Sequence, residues 1–350
     1  MQNRKPASSD IEMPESFGFQ WHITDRCAGR CLHCYQDRFD GSKEQSCDDL
    51  KRISDHIMTS LPVPVSINLT GGEPLLYPGF FDLLGHISEY NTIEELNVIT
   101  SATVLGEAVL EKLSIVTRLT YIKVSLESND PAVNDSIRGS GHFEKVVHNI
   151  GRLVNAGHSV VLMVTLGSCN FDSVAGICGL AGTLGVSGVI FERYVPLGRG
   201  KGIVSNLLSP HEWAFVIQEI CRIGEVDTGI EDLLAYKAFW VDMSDGEGGE
   251  AGSVRGALCN LGPSSMALMP DGTVFPCRRL PFSVGKMPEE SIFQILERLQ
   301  KYSPRVLKSQ MKGSQCGSCG HDECVGCRAL TISLGGGLLD DDPQCPIRCF

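Results

Sequence analysis

Between Phe17 and Arg193, short apolar runs alternate with amphipathic stretches, and this alternation narrows the fold more than any other feature of the chain. The strand candidates are Phe17–Ile23, Val65–Leu69, Leu96–Thr100, Tyr121–Leu126, Val160–Leu166 and Gly188–Arg193. The helix candidates between them are Asp48–Leu61, Phe80–Tyr90, Gly106–Ile115, Phe143–Ala156 and Ser173–Leu184. The first of these carries Leu50, Ile53, Ile57 and Leu61 at helical spacing. Strands that alternate with helices pair in parallel, each helix crossing over a sheet face. A closed eight-stranded barrel takes ~250 residues, and roughly 180 are available here, so the expectation is an α/β fold built on a partial, six-stranded barrel of the TIM type. In such barrels the chemistry sits at the C-terminal ends of the strands.

Composition narrows the function. The chain has 350 residues, 42% of them hydrophobic, enough for one large domain and a smaller one. The net charge is −12, which argues against non-specific nucleic-acid binding, because that needs a basic field. No apolar run approaches ~18 residues, and the polar start lacks a signal peptide, so the expectation is a cytoplasmic protein with no membrane partner. Fifteen cysteines in such a chain point to metal or catalysis rather than to disulfides. They are clustered: three lie between Cys27 and Cys34, six between Cys316 and Cys349, and Cys259 and Cys277 stand apart. Cys47, Cys169, Cys178 and Cys221 are scattered and read as ordinary small residues.

The expected organisation is an N-terminal tail over 1–16, the barrel over 17–205, a helical and Gly-rich linker over 206–256 and a Cys-rich domain over 257–350. Pro196-Leu197-Gly198-Arg199-Gly200 breaks the β-α pattern, and Ser209-Pro210-His211-Glu212 is a capping box that starts a helix. The Gly-rich acidic run from Ser244 to Ser253 reads as a solvated loop. Ser265–Met269 and Thr273–Pro276 flank Pro270-Asp271-Gly272 and read as a hairpin. Ser291–Leu299 reads as a short amphipathic helix. After Gly313 the chain has few apolar anchors and needs metal cross-links to fold.

Cys27, Cys31 and Cys34 form a CxxxCxxC array just after the first strand. Thiolates are the usual ligands of a 4Fe–4S cube, and three of them leave one iron open. The same thiolates with His33 would also suit zinc. Thr70-Gly71-Gly72-Glu73-Pro74 follows the second strand. By themselves its glycines can simply serve a tight turn.

Array and loop together resemble the radical S-adenosylmethionine (radical SAM) enzymes. The resemblance implies that the amino and carboxylate groups of S-adenosylmethionine chelate the open iron. An electron from the cluster then breaks the sulfonium C–S bond, and the resulting 5′-deoxyadenosyl radical abstracts hydrogen. It further implies close backbone approach of Gly71 and Gly72 to the methionine amino group, with Glu73 as its carboxylate acceptor. Ser125 and Glu127 would face the ribose or carboxylate, Arg138 would pair the carboxylate, and Tyr35 would lie near the adenine. Thr100-Ser101-Ala102 stands where many relatives have Thr-Asn-Gly.

The C-terminal cysteines resemble the SPASM extension of radical SAM enzymes, which holds auxiliary 4Fe–4S clusters. The resemblance implies Cys316, Cys319, Cys324 and Cys345 for one cluster and Cys259, Cys277 and Cys327 for another. The second set has three ligands, so its fourth iron is open or is reached by Cys349. Zinc held by two CxxC pairs is the other reading, although the four residues between the pairs are far fewer than the ~15–20 of zinc ribbons.

Relatives of this layout mostly modify peptides or protein side chains, so the first expectation is a peptide maturase served by an electron donor such as flavodoxin or ferredoxin. Only about sixteen residues precede the first strand, too few for a separate peptide-binding domain, so any leader recognition is expected from a distinct recognition protein or from the barrel face. A small-molecule enzyme, such as one trimming tetrapyrrole side chains, is the second reading. A non-catalytic iron–sulfur electron carrier is the third.

Overall fold

The computed structural model describes residues 14–233, 235–243, 253–311 and 315–349. The Gly-rich loop expected at 244–253 therefore lies, but for Ser253, outside the described residues, as does the side chain of Cys349. Six strands pair in parallel and in chain order: β1 (Phe17–Thr24), β2 (Val65–Gly71), β3 (Ile93–Thr100), β4 (Tyr121–Ser125), β5 (Val160–Leu166) and β6 (Gly188–Arg193). The helices between them are α1 (Cys47–Ser60), α2 (Phe80–Ser88), α3 (Glu107–Ile115), α4 (Pro131–Arg138), α5 (His142–Asn155) and α6 (Val174–Leu184). This is the partial β/α barrel that the alternation predicts. The β4–β5 crossover holds two helices where the sequence reading has one. Asp130 caps α4 by accepting from the Ala132 N–H at 2.7 Å, and Gly139 (φ +111°) breaks the chain before α5 begins.

The two faces of each strand differ in kind. Phe17, Phe19, Trp21 and Ile23 of β1, and Val65, Ile67 and Leu69 of β2, are buried in one continuous core with Leu50, Ile53 and Ile57 of α1. The residues between them face the barrel lumen. Gln20, Asn68 and Lys123 line one cavity there, and Thr70 and Ser125 line another. The period of two is thus apolar toward the helices and polar toward the lumen.

The segment 206–256, read as a linker, is only partly one. Helix α7 (Pro210–Ile223) carries the expected capping box. β7 (Tyr236–Asp242) and β8 (Val254–Leu258) then extend the sheet antiparallel beyond β6. At the other edge, β9 (Ser265–Leu268) pairs parallel with β1, and β10 (Thr273–Phe275) and β11 (Gly285–Lys286) follow antiparallel. The predicted hairpin therefore joins the barrel's own sheet, giving eleven strands in all. Gly272 makes its turn at φ +81°, where a Cβ would meet the Met287 carbonyl at 2.2 Å. The helix Ile292–Leu299 packs its apolar side into the main core and is capped by Ser291 and Gln294. A smaller core of Leu261, Leu280, Leu307, Met311, Val325 and Leu330 supports the Cys-rich tail. Among the described residues no helix is long and apolar enough to cross a membrane.

Candidate functional site

Cys27, Cys31 and Cys34 leave β1 on a loop that borders a cleft of about 1050 Å³ at the C-terminal ends of the strands. Tyr35, Thr70, Gly71, Gly72, Ser125 and Arg138 line the same cleft. The Gly-Gly loop is fastened to the cysteine loop by its backbone. The Gly72 N–H donates to the Thr24 carbonyl at 2.9 Å, and the Glu73 N–H to the Arg26 carbonyl at 2.7 Å. A Cβ on Gly71 (φ +153°) would lie 2.2 Å from the Thr24 oxygen, and one on Gly72 would lie 2.3 Å from the Arg26 oxygen. The glycines thus let two backbones touch, a demand that the sequence reading placed at the methionine instead. The Tyr35 hydroxyl donates to the Gly71 carbonyl at 3.2 Å, and the Arg278 guanidinium lies 5.3 Å from the centre of its ring.

Three of the residues expected at the cofactor are engaged by protein partners. The Glu73 carboxylate, 1% exposed, accepts from the Thr100 hydroxyl at 2.6 Å and from the Ser101 N–H at 2.9 Å and hydroxyl at 2.5 Å. It braces the end of β3. Burial pushes its carboxyl up, and these donors oppose the push. Glu127 is also engaged. Its carboxylate is shared by Arg138 (Nε at 2.8 Å), His33 (Nε2 at 3.1 Å) and the Thr165 N–H (2.7 Å), and it is fully buried. Burial raises this carboxyl, but Arg138 and His33 more than offset that and hold it at about 2. Arg138 in turn is committed to Glu127, and its Nη1 lies 3.8 Å from the Cys31 sulfur. It is a neighbour of the thiols, engaged by a protein carboxylate. Ser125 does line the cleft, together with Thr100, Ser101, Thr103 and Thr165, which the sequence reading had not assigned to it.

The thiols suit a cluster better than a single ion. A Cβ on Gly29 would lie 3.6 Å from both the Cys27 and the Cys31 sulfur. Burial pushes the Cys27 thiol up to about 11, and burial likewise raises Cys34. Binding at this loop therefore requires a strong positive charge to displace the protons. Among the described residues, no three His, Cys, Asp or Glu side chains come close enough to hold one metal ion, and His33 turns to Glu127. Three thiolates are the donor set for three corners of an iron–sulfur cube, whereas the fourth ligand a zinc site would draw on here, His33, is taken by Glu127.

The C-terminal thiols form two groups. Cys316, Cys319, Cys324 and Cys345 line one cavity with Lys237 and Asp342. Cys259, Cys277 and Cys327 line another, of about 1380 Å³, that opens from the barrel lumen. Charged residues at the end of β6 link these groups to the cleft. Arg193 donates to Asp342 (3.1 Å) and Gln344 (3.2 Å), and Asp342 accepts from the Cys327 N–H at 2.8 Å. Glu192 holds both Arg278 and Arg279, and Arg279 also donates to the Arg193 carbonyl at 2.8 Å. Burial raises the Asp342 carboxyl, but Arg193 and Lys237 bring it down to about 2. Two adjacent charges ending an otherwise apolar strand were the available sequence signal for this joint.

Lys308 left no such signal. Its ammonium sits among the carbonyls of Cys316 (2.7 Å), Cys319 (3.1 Å), His321 (3.1 Å) and Cys324 (3.4 Å), and 3.3 Å from the Cys319 sulfur. One cation gathers the whole loop. Lys308→Met leaves those carbonyls facing a methyl group. The expected result after anaerobic reconstitution is about four fewer irons per chain than in the wild type.

Comparison with known proteins agrees with this geometry. The radical SAM superfamily profile matches residues 21–179, and SPASM, an iron–sulfur cluster-binding domain, matches residues 259–321. The chain is 27% identical over 345 residues to the AdoMet-dependent heme synthase of Methanosarcina barkeri, covering 94% of this chain and 95% of that one. It is 25% identical over 335 residues to the mycofactocin maturase MftC of Mycobacterium tuberculosis, covering 93% and 81%. Its fold matches that of anSMEcpe, solved with bound AdoMet and the Cp18Cys peptide, at a TM-score of 0.73 with 16% identity and 94% of each chain covered. The thiol loop, the Gly-Gly loop fastened to it and the two C-terminal thiol groups belong to one recognisable design, and the chain is a radical SAM protein with a C-terminal SPASM domain.

Proposed function

We propose that this protein modifies a peptide or protein side chain by hydrogen abstraction, using S-adenosylmethionine and a 4Fe–4S cluster held by Cys27, Cys31 and Cys34. When bound, these groups supply reductive cleavage of the sulfonium and a 5′-deoxyadenosyl radical. The chain's own part is to place and shield. The backbone bonds from Gly72 and Glu73 to Thr24 and Arg26 hold the thiol loop against the cleft. The hydroxyls of Ser125, Thr165 and Ser101 offer its wall to a ribose or carboxylate. The observation that carries the reading is continuity. Ile99, Met163, Glu192, Arg278 and Arg279 border both the cleft and the lumen cavity, so a substrate in the lumen lies between the first thiol group and Cys259, Cys277 and Cys327. We assign those three to one auxiliary cluster with an open position facing the lumen, and Cys316, Cys319, Cys324 and Cys345 to a second.

A peptide substrate is favoured by the maturase relative and by the peptide bound to anSMEcpe. An electron donor such as flavodoxin or ferredoxin, a separate recognition protein and a cytoplasmic setting complete the proposal. The heme synthase relative supports a second reading, in which a small molecule takes the peptide's place. The test is anaerobic reconstitution followed by reduction in the presence of S-adenosylmethionine. About twelve irons per chain and formation of 5′-deoxyadenosine are expected. Clusters without 5′-deoxyadenosine would leave only an electron carrier.

A further inference from the structure

The lumen of an ordinary β/α barrel is filled by branched apolar side chains. Here the inward positions of β1, β2 and β4 carry Gln20, Asn68 and Lys123 around an open cavity. Lys123 is 9% exposed, and its Nζ donates to Asn68 Oδ1 at 2.8 Å. An ammonium has three protons to give, and among the described residues this is the one hydrogen bond it makes. Asn68 Oδ1 also accepts from Asn97 at 3.4 Å, which leaves the amide NH₂ of Asn68 for the cavity. Burial lowers the Lys123 ammonium to about 8, with Glu95 opposing.

The rest of the wall is also positive. Arg278 and Arg279 share the single carboxylate of Glu192. Arg328, 1% exposed, gives Nη1 to the Leu338 and Asp340 carbonyls, while its Nε and Nη2 have no hydrogen-bond partner among the described residues. Arg328 follows Cys327 and lines that end of the cavity. Lys123 belongs to the other end, two residues before Ser125 on the same inward face of β4. A buried cation in a cavity is stabilised by a partner anion, and among the described residues no carboxylate lies within hydrogen-bond reach of Lys123, Glu95 acting on it only at longer range.

We propose that Lys123 and Asn68 anchor a carboxylate of the substrate inside the barrel, beneath the S-adenosylmethionine cleft. The inference deepens the proposed function and rests on the lumen being the substrate's place. The anchored group is either the C-terminal carboxylate of a chain or an acidic side chain.

The test is trace acetylation of the reconstituted holoenzyme with acetic anhydride at constant ionic strength, reading label on Lys123 by mass spectrometry. Three probes are compared: acetyl-alanine, acetyl-aspartate α-amide and acetyl-alanine amide. At least fivefold protection by one or both of the carboxylates, and none by the neutral amide, is expected. Stronger protection by acetyl-alanine makes the anchored group a chain terminus, and stronger protection by the aspartate probe makes it a side chain. Asn68→Leu should lose the protection while Lys123 still takes label. Equal protection by the neutral probe, protection by no probe, or a Lys123 that takes no label at all overturns the proposal. No step of the readout uses turnover, so a failure to cleave S-adenosylmethionine would sink the proposed function and leave this result standing.

Discussion

Cys31→Ala should bring 5′-deoxyadenosine formation to background and lower the iron content from about twelve to about eight per chain. The reason is the geometry of the loop. Cys27 and Cys31 stand on either side of Gly29, and Cys34 follows one turn later, its N–H 3.3 Å from the Cys31 carbonyl. Removing the middle sulfur leaves two thiols of the array for four irons. His33 is engaged by Glu127. The C-terminal groups lie in separate cavities and should keep their iron. Cys169→Ala, at an exposed thiol, is the control and should change neither quantity. An alanine variant that retained turnover or all of its iron would remove Cys31 from the site.

The second large effect is on stability. Glu127→Gln should destabilise the fold by about 3–5 kcal/mol, because Arg138, with a side chain 11% exposed, then loses its fully buried carboxylate partner. The pH dependence follows from the sign of the shift. The Glu127 carboxyl is held at about 2 in the fold, against an ordinary 4.5, so the folded state binds its proton more weakly than the unfolded chain does. The contribution is complete above pH 4.5 and is lost as pH falls toward 2, with a magnitude on the order of 3 kcal/mol. Asp342 is depressed in the same range, so the informative quantity is the difference between wild type and variant. Thermal unfolding of the cluster-free proteins should show a gap in Tm at neutral pH that narrows in acid. Equal Tm values at neutral pH would show that the pair contributes nothing.

The barrel was legible because its signal is local. Phe17 to Thr24 and Val65 to Gly71 alternate apolar and polar residues with a period of two, and burial on one face is enough to produce that pattern. The thiol groups were legible for a related reason. Short spacings such as that of Cys27, Cys31 and Cys34 keep three sulfurs on one loop wherever the rest of the chain goes. The strands β7 and β8 were missed because β7 pairs with β6 across more than forty residues, β8 joins the sheet only through β7, and Tyr236–Asp242 carries no turn signal that announces either pairing.

The roles of Glu73, Glu127 and Arg138 show the boundary most clearly. Each was found as a charged residue at the end of a strand or helix, and each lies where the motif places it. Whether its charge faces a ligand or another side chain depends on partners drawn from distant segments: Thr100 and Ser101 for Glu73, and His33 and Thr165 for Glu127. Lys308 had no motif at all, and the adjacent charges Glu192-Arg193 marked a joint without naming Asp342, since a cation gathering carbonyls or a pair spanning 149 positions leaves no periodic trace. Sequence alone therefore determined the β/α repeat and the grouping of the thiols, both products of short-range spacing. Only the tertiary structure decided which charges neutralise one another and which remain turned toward the lumen, because electrostatic partners are chosen by proximity in space.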